Sequence, residues 1–254
     1  SSDGRFAAFL RQRSWSGRTP LGGDWLAAAA EPATEQVIPG VAAGSGGRQL
    51  VVANPGERTT TVEVGFLGAD GSGELAGAEQ LEVPPQTTRT LDLTAGLSGQ
   101  AVALTIRSVQ PVTAAVLQDT GSAAVKHDPA FSAATPRLPA DSVWPLGAGK
   151  KAATVLALAN PSAAEVTATV ALGTGATAGT DQEVVVPPGS QVQVAVPAAA
   201  VDTVRIRTAA QDLRGALVTT EKLGTVDGLA VWPLAEQESA AEPAVVVFDP
   251  RLGS

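Results

Sequence analysis

Two stretches of the sequence decide the fold: LVVANPGE (residues 50–57) and LALANPSAAE (residues 156–165). Each is an apolar, strand-like run that stops at Asn-Pro, and Asn54 and Asn160 are the only two asparagines in the chain. Proline cannot donate to a β-ladder and pushes the preceding residue into extended geometry. An asparagine side chain can accept a hydrogen bond from the backbone N–H two residues further on. We therefore predict that each Asn-Pro closes a turn at the end of a strand and is architectural rather than a ligand site.

The two Asn-Pro stretches belong to a longer internal similarity. They are 106 residues apart, and LEVPPQTTRTLDL (residues 81–93) matches VVVPPGSQVQVAV (residues 184–196) at a similar distance. A period of about 100 residues is too long for a solenoid repeat or a propeller blade and fits a β-sandwich module. Near the end of the chain, Asp249-Pro250 follows another apolar run, and we expect Asp249 to close a turn in the same way.

Alternating apolar and polar residues between these turns predict antiparallel strands. Every second residue is apolar in TVEVGF (residues 61–66) and in QVQVAV (residues 191–196), and valine and isoleucine alternate with arginines in VRIR (residues 204–207). Period-two patterns of this length are typical of half-buried strands. With about seven strands in each module, the predicted fold is all-β, with tandem immunoglobulin-like antiparallel β-sandwich modules.

The ends of the chain resemble parts of such modules. RFAAFL (residues 5–10) resembles VTAAVL (residues 112–117), the last strand of the first module, and AVVVFDP (residues 244–250) resembles a first strand. The predicted boundaries are the last strand of a preceding module plus a long connection (1–36), module 1 (37–142), module 2 (143–230) and the first strand of a further module (231–254). Two arrangements stay open: the N- and C-terminal strands complete a composite third sheet, or they belong to a longer array.

Composition excludes several classes of function. The net charge is −8, the pI is about 4.7, and no cluster of Lys and Arg is long enough to bind nucleic acid. The absence of cysteine excludes disulfide scaffolds, iron–sulfur clusters and thiol catalysis. No run of about 18 apolar residues exists, so we predict no membrane span within the chain. No glycine-rich phosphate-binding motif is present, and we predict no cofactor.

Candidate contact residues come from the two long segments with the least internal similarity, 11–36 and 119–142, because long connections tend to be functional or mobile. His127 is the only histidine, so a His- or Cys-based metal site within the chain is excluded. A Ser-His-Asp triad through Asp128 lacks the G-x-S-x-G elbow, and we predict a solvated loop histidine. Ligand or partner contacts are expected near Trp15, Trp25, His127, Asp128, Phe131 and Arg137.

The four tryptophans divide into two pairs. Trp144 and Trp232 both occur in VWPL, and Ile38 fills the same place in the first copy, which predicts that these positions pack in a core. Trp15 and Trp25 have no counterpart in the other module. Each is expected either to pack down as an anchor or to present its ring face to a sugar.

The order of apolar strand, Asn-Pro, alternating strand, Val-Pro-Pro turn and final strand is carried by LALANPSAAEVTATVAL (residues 156–172), VVVPPGSQVQVAV (residues 184–196) and RGALVTTE (residues 214–221). This order resembles an uncharacterised actinobacterial family of secreted or membrane-anchored envelope proteins that carries a domain of unknown function. The resemblance implies an extracytoplasmic location behind a membrane anchor upstream of residue 1. It supplies no catalytic residues.

The sequence thus favours a non-enzymatic extracytoplasmic scaffold or protein-interaction ectodomain of the bacterial cell envelope. Its expected partner is an envelope protein or a cell-wall polysaccharide. The alternative is a cell-wall glycan-binding module, motivated by Trp15 and Trp25. An envelope hydrolase ranks third, because the carboxylates are dispersed and no pair is marked out by its spacing.

Overall fold

The computed structural model describes residues 10–26, 28–75, 77–78, 80–119, 121, 128–147, 149, 151–174, 179–197, 200–210, 212–223 and 226–235. Every strand in these residues is paired antiparallel, and no helix interrupts them, so the fold is all-β as predicted. The strands are β1 (Leu10–Ser16), β2 (Thr19–Leu26), β3 (Ala33–Val41), β4 (Arg48–Asn54), β5 (Thr60–Gly68), β6 (Gly71–Glu74), β7 (Leu81–Val83), β8 (Thr87–Asp92), β9 (Val102–Gln118), β10 (Ala130–Ala133), β11 (Asp141–Pro145), β12 (Ala153–Asn160), β13 (Val166–Gly173), β14 (Asp181–Val186), β15 (Ser190–Val196), β16 (Thr203–Thr208), β17 (Arg214–Leu223) and β18 (Val226–Pro233).

The first sandwich is organised around the long strand β9. Its first half pairs with β3 and β5, and its second half pairs with β4 and β10. Pro111 lies between the two halves; because proline cannot donate to a ladder, the strand changes sheet there. β6 and β7 lie beside β5, and β8 lies beside β4. Inward-facing residues of both sheets form one apolar core, which includes Ile38, Leu50, Val64, Leu104 and Val116.

The second sandwich consists of two four-stranded sheets, ordered β11-β16-β13-β14 and β15-β12-β17-β18. Its arrangement follows that of the first sandwich, with separate strands β16 and β17 in place of the two halves of β9. Its apolar core includes Leu156, Val170, Val186, Ile206 and the indole of Trp144. In both sandwiches two antiparallel sheets enclose a single core, which is the predicted immunoglobulin-like arrangement.

Each Asn-Pro stretch ends the second strand of its sandwich with a buried asparagine. The Oδ1 atoms of Asn54 and Asn160 accept hydrogen bonds from the backbone N–H two residues further on, at 2.9 and 3.0 Å. Their Nδ2 atoms donate to the backbone oxygens of Val83 and Val186, at 2.9 and 3.0 Å. Because those acceptors end a strand of the opposite sheet, each asparagine closes a turn and also joins the two sheets. Asp249 lies outside the described residues.

The last strand of each sandwich occupies the same place. Ala134 N donates to Ala114 O at 3.2 Å in the first sandwich, and Leu234 N donates to Gly215 O at 2.9 Å in the second. β18 is therefore the counterpart of β10, and it pairs with β17 along its whole length. Residues 231–233, which the sequence assigns to a further module (231–254), lie in a sheet of the second sandwich.

This correspondence corrects one prediction about tryptophan packing. Ile38 and Trp144 lie in β3 and β11, the first strands of the two sandwiches, and both are buried. Trp232 lies in β18, and it is 59% exposed. The prediction that Trp232 packs in a core is wrong, because the shared letters VWPL occur in two strands with different places in the sandwich.

The two sandwiches pack directly against each other through small and branched apolar side chains. The main contact cluster consists of Ala42 and Ala130 from the first sandwich and Ala216, Val218, Leu229 and Val231 from the second. Gly40 lies in this interface with a φ of +78°, and a Cβ at this position would lie 2.8 Å from the Cβ of Ala216. Its backbone N also donates to Oε1 of Gln191 at 3.3 Å. Only glycine fits here, because both the backbone conformation and the close approach exclude a side chain.

The two long segments contain more structure than the sequence predicts. The segment 11–36 contains most of a β-hairpin, formed by β1 and β2, and the start of β3; the segment 119–142 contains β10. Residues 1–9 and 236–254 lie outside the described residues, and with them the predicted pairing of the terminal strands. Within the ranges given above, no helix has the length and apolar character of a membrane span.

Candidate interaction site

The hairpin formed by β1 and β2 stands apart from both sandwich cores. Ser16 pairs with Thr19, which leaves Gly17-Arg18 as a two-residue turn with Gly17 at a φ of +60°. Two-residue hairpin turns favour glycine at such a position because it adopts positive φ without strain. Across the strands Arg11 pairs with Trp25, and the Cζ of Arg11 lies 5.4 Å from the centre of the Trp25 ring. This is the distance of a cation–π contact.

Strand alternation gives the hairpin two different sides. Arg11 and Arg13 project from one side of β1, and Trp25, opposite Arg11, projects from the same side of β2. Trp15 is the next residue of this alternation on β1; the pairing register shifts between Ser14 and Trp15, where Leu21 is the extra residue on β2. We call these four residues the outer face of the hairpin. All four are exposed, with Trp15 at 58% and Trp25 at 56%. The outer face therefore presents two indole rings and two guanidinium groups to solvent.

Two aspartates hold the opposite side of the hairpin against the first sandwich. The Oδ1 of Asp24 accepts a hydrogen bond from Trp25 N at 2.8 Å, and its Oδ2 accepts one from Phe131 N at 3.0 Å. In the reverse direction, Oδ1 of Asp128 accepts a hydrogen bond from Gly23 N at 2.9 Å. Hydrogen bonds between a carboxylate and backbone N–H groups are among the stronger ones in proteins, so these contacts fix the hairpin next to β10.

The same contact region reaches the second sandwich. The backbone N of Asp128 donates to Asp227 O at 3.3 Å, in β18. On the hairpin, Gly22 has a φ of +123°, and a Cβ there would lie 1.9 Å from Oδ1 of Asp128. The close approach of the hairpin to Asp128 thus requires glycine at this position. The hairpin is therefore attached where the two sandwiches meet.

Burial raises the pKa of both carboxyl groups above their ordinary value of 3.8. In each, loss of solvation is the largest effect and outweighs the backbone hydrogen bonds, which lower the pKa. The negative charge of Asp128 raises the pKa of Asp24 further. The attached hairpin thus brings two partly desolvated like charges together, and protonation relieves that cost.

A family model described as a family of unknown function, DUF5719, matches residues 1–197. The chain belongs to this family. The matched region contains the hairpin, the first sandwich and the second sandwich as far as β15. Comparison with curated proteins found no match.

Solved structures that resemble this DUF5719 protein do so only weakly. The crystal structure of Thermotoga maritima 1070 is 15% identical over 41% of this chain and 95% of its own, with a TM-score of 0.35. A Bacteroides uniformis beta-glucuronidase is 8% identical with a TM-score of 0.22; the match covers 78% of this chain but only 25% of the enzyme. The pilus backbone protein RrgB of Streptococcus pneumoniae is 12% identical over 89% of this chain and 93% of its own, with a TM-score of 0.19. Similarities of this size carry no argument about function.

The structure brings together four of the six residues that the sequence marks as candidate contacts in this DUF5719 protein. Trp15 and Trp25 lie on the outer face of the hairpin, and Asp128 and Phe131 lie at its attachment to the first sandwich. Asp128 and Phe131 therefore position the hairpin rather than form its exposed surface. His127 lies outside the described residues.

Arg137 lies apart from the hairpin, in a groove of about 1450 Å³ between the two sandwiches. Its Nη2 is 3.1 Å from Oδ1 of Asp212. Elsewhere in the groove the strand register places Arg107 between Glu35 and Glu63. The lining of the groove thus carries charges of both signs. In the part of the chain given above, no group of three or more acidic or histidine side chains is arranged to hold a metal ion.

Sequence reasoning missed Arg11, Arg13 and Asp24, because it treated residues 11–36 as a connection. A signal was present in RQRSWSGRTPLGGDWL (residues 11–26). Arginine, arginine and tryptophan occupy every second position before Gly17, which is the pattern of one side of a strand leading into a turn. Because this side of the strand carries no aliphatic residue, the alternation of apolar and polar residues that predicts a strand does not reveal it.

Proposed function

We propose that this protein is a non-enzymatic extracytoplasmic scaffold of the bacterial cell envelope, and that the outer face of the hairpin binds an envelope component. One observation carries the proposal: two exposed tryptophans share a face with arginines on a hairpin whose other side is hydrogen-bonded to the body. Trp and Arg are among the residue types most enriched in binding hot spots. Their presence together on a solvent-exposed face supports a binding role.

The contacts between the sandwiches support the scaffold part of the proposal. Beside the cluster around Gly40, a second apolar cluster joins Val37, Leu67 and Ala103 of the first sandwich to Ala159 of the second. A backbone hydrogen bond of 2.8 Å from Leu138 N to Leu213 O fixes the connecting segment. Buried apolar interfaces of this kind restrict relative domain motion, so the hairpin is presented by a body of fixed shape.

A single introduced cysteine tests the location. The chain contains no cysteine, and Val109 is exposed on β9, so Val109→Cys provides one accessible thiol. In intact cells of the bacterium that encodes the chain, a membrane-impermeant maleimide is expected to label this thiol, while a cytoplasmic control protein stays unlabelled. Labelling that requires cell lysis would contradict an extracytoplasmic location.

A pair of cysteines tests the scaffold. Val109 and Val185 are exposed residues of different sandwiches, so spin labels on Val109→Cys and Val185→Cys report the distance between the sandwiches. We expect a narrow distance distribution in frozen solution that does not change with ionic strength. A broad distribution would show that the sandwiches move independently and would remove the main support for a scaffold.

A further inference from the structure

The hairpin is basic in an acidic protein. Residues 10–26 contain three arginines, Arg11, Arg13 and Arg18, and one aspartate, which gives a net charge of +2. The total for the chain is −8, so the remaining residues carry −10. The single aspartate of the hairpin, Asp24, faces the body and accepts a hydrogen bond from β10. The outer face therefore offers a partner only positive charge and aromatic surface.

The groups of the outer face follow one another in a row. Arg11, Arg13 and Trp15 occupy every second position of β1, and same-side residues of a strand are about 6.8 Å apart. A guanidinium group can bind a carboxylate or a phosphate through two parallel hydrogen bonds. The indole adds a flat apolar surface. Such a row suits a linear ligand that carries anionic groups on its units and has ring faces between them.

We infer that the outer face of the hairpin binds an anionic polysaccharide, whose carboxylate or phosphate groups contact the arginines and whose sugar rings stack on Trp15 and Trp25. This inference rests on the proposed function and names the class of envelope component. An anionic membrane fits less well, since three arginines are fewer than the about four to eight basic residues of lipid-binding segments.

Calorimetric titration of the whole protein tests the inference with three polymers: alginate, which carries carboxylates; poly(glycerol phosphate), which carries phosphates; and neutral dextran. We expect at least one anionic polymer to bind and dextran not to bind. Raising NaCl from about 50 mM to about 500 mM should weaken binding, because salt screens exposed charges. The double variant Arg11→Gln/Arg13→Gln and the single variant Trp15→Ala should each lower the affinity about tenfold, as truncation of central hot-spot residues does.

Matched controls come from the same chain. Arg89 and Trp232 are an exposed arginine and an exposed tryptophan outside the hairpin, so Arg89→Gln and Trp232→Ala should leave the affinity unchanged. Equal losses in these controls, equal binding of dextran, or no binding of either anionic polymer would overturn the inference.

Two further outcomes would assign a different partner and so also overturn it. One is binding to phosphatidylglycerol vesicles without binding to either polymer. The other is salt-sensitive self-association in sedimentation that Arg11→Gln/Arg13→Gln abolishes. A narrow spin-label distance distribution without polymer binding would overturn the inference of an anionic polysaccharide and leave the scaffold proposal supported. A broad distance distribution with polymer binding would support the polysaccharide and contradict the scaffold.

Discussion

Substitution of Gly40 by alanine tests whether the two sandwiches are closed tightly against each other. Gly40 has a φ of +78°, so alanine incurs a backbone cost of about 1–2 kcal/mol. The new Cβ would also lie 2.8 Å from Ala216 Cβ, 3.1 Å from Val218 Cγ2 and 3.2 Å from Val231 Cγ1. Overpacking of this kind costs about 1–3 kcal/mol. We therefore expect Gly40→Ala to lower the free energy of unfolding by about 2–5 kcal/mol.

The chain offers a control in which only the backbone cost applies. Gly77 has a φ of +81°, and a Cβ there would meet nothing within 4 Å. Gly77→Ala should therefore cost only about 1–2 kcal/mol. The difference between the two variants isolates the effect of the interface contact.

Urea unfolding followed by two probes gives the free energies. With Trp15, Trp25 and Trp232 replaced by phenylalanine, Trp144 is the only tryptophan of the chain and reports on the core of the second sandwich. Far-ultraviolet circular dichroism reports on all strands. The two probes should give one coincident transition in the parent protein. A Gly40→Ala variant that is no less stable than Gly77→Ala would refute the tightly packed interface.

Three further predictions concern stability. Asn160→Ala should lower the free energy of unfolding by about 2–4 kcal/mol, because the backbone oxygen of Val186 loses its hydrogen-bond donor and the turn loses its side-chain acceptor. Urea denaturation measures this free energy, and a decrease of less than about 1 kcal/mol would contradict the prediction. Arg48→Met should lower the free energy of unfolding by about 3–5 kcal/mol in the same assay, because fully buried Arg48 donates to three backbone oxygens that would each lose a partner. An unchanged free energy of unfolding would contradict this role of Arg48. Because the pKa values of Asp24 and Asp128 are raised in the attached hairpin, the contribution of these two groups to attachment should be fully present below pH 3.8 and should decrease as the pH rises through the raised pKa values. Hydrogen exchange of the Phe131 N–H, corrected for its intrinsic rate, measures that attachment, and protection that increases with pH would contradict the sign.

The sandwich fold could be predicted from local chemistry. Proline cannot donate to a ladder, and asparagine can accept from the N–H two residues further on. An apolar run that stops at Asn-Pro therefore marks a strand end at Asn54 and Asn160 without knowledge of the rest of the chain. The bonds from their Nδ2 atoms to Val83 and Val186 could not be predicted in this way. Those acceptors lie 29 and 26 residues away along the chain, and only the packing of one sheet on the other brings them close.

Long-range packing also explains why other features escaped prediction. An arginine that alternates with apolar residues in a strand is expected to face solvent, yet Arg48 is fully buried. The loop after β3 folds over its side chain, and Nη2 of Arg48 donates to the backbone oxygens of Ala42 and Gly44 at 2.6 and 2.8 Å. The hairpin escaped because its strands carry few aliphatic residues. Its position depends on Asp24 and Asp128, which are 104 residues apart in the sequence.

Photo-crosslinking in intact cells tests most directly whether the outer face of the hairpin is the binding surface. The photoreactive residue p-benzoylphenylalanine replaces Trp15 in one variant and Trp232 in a matched control. The two tryptophans are about equally exposed, Trp15 at 58% and Trp232 at 59%. We predict a discrete envelope-associated crosslinked product from position 15 and none from position 232. The same product from both positions, or no product from position 15 while the protein is present in the envelope, would contradict this assignment of the binding surface.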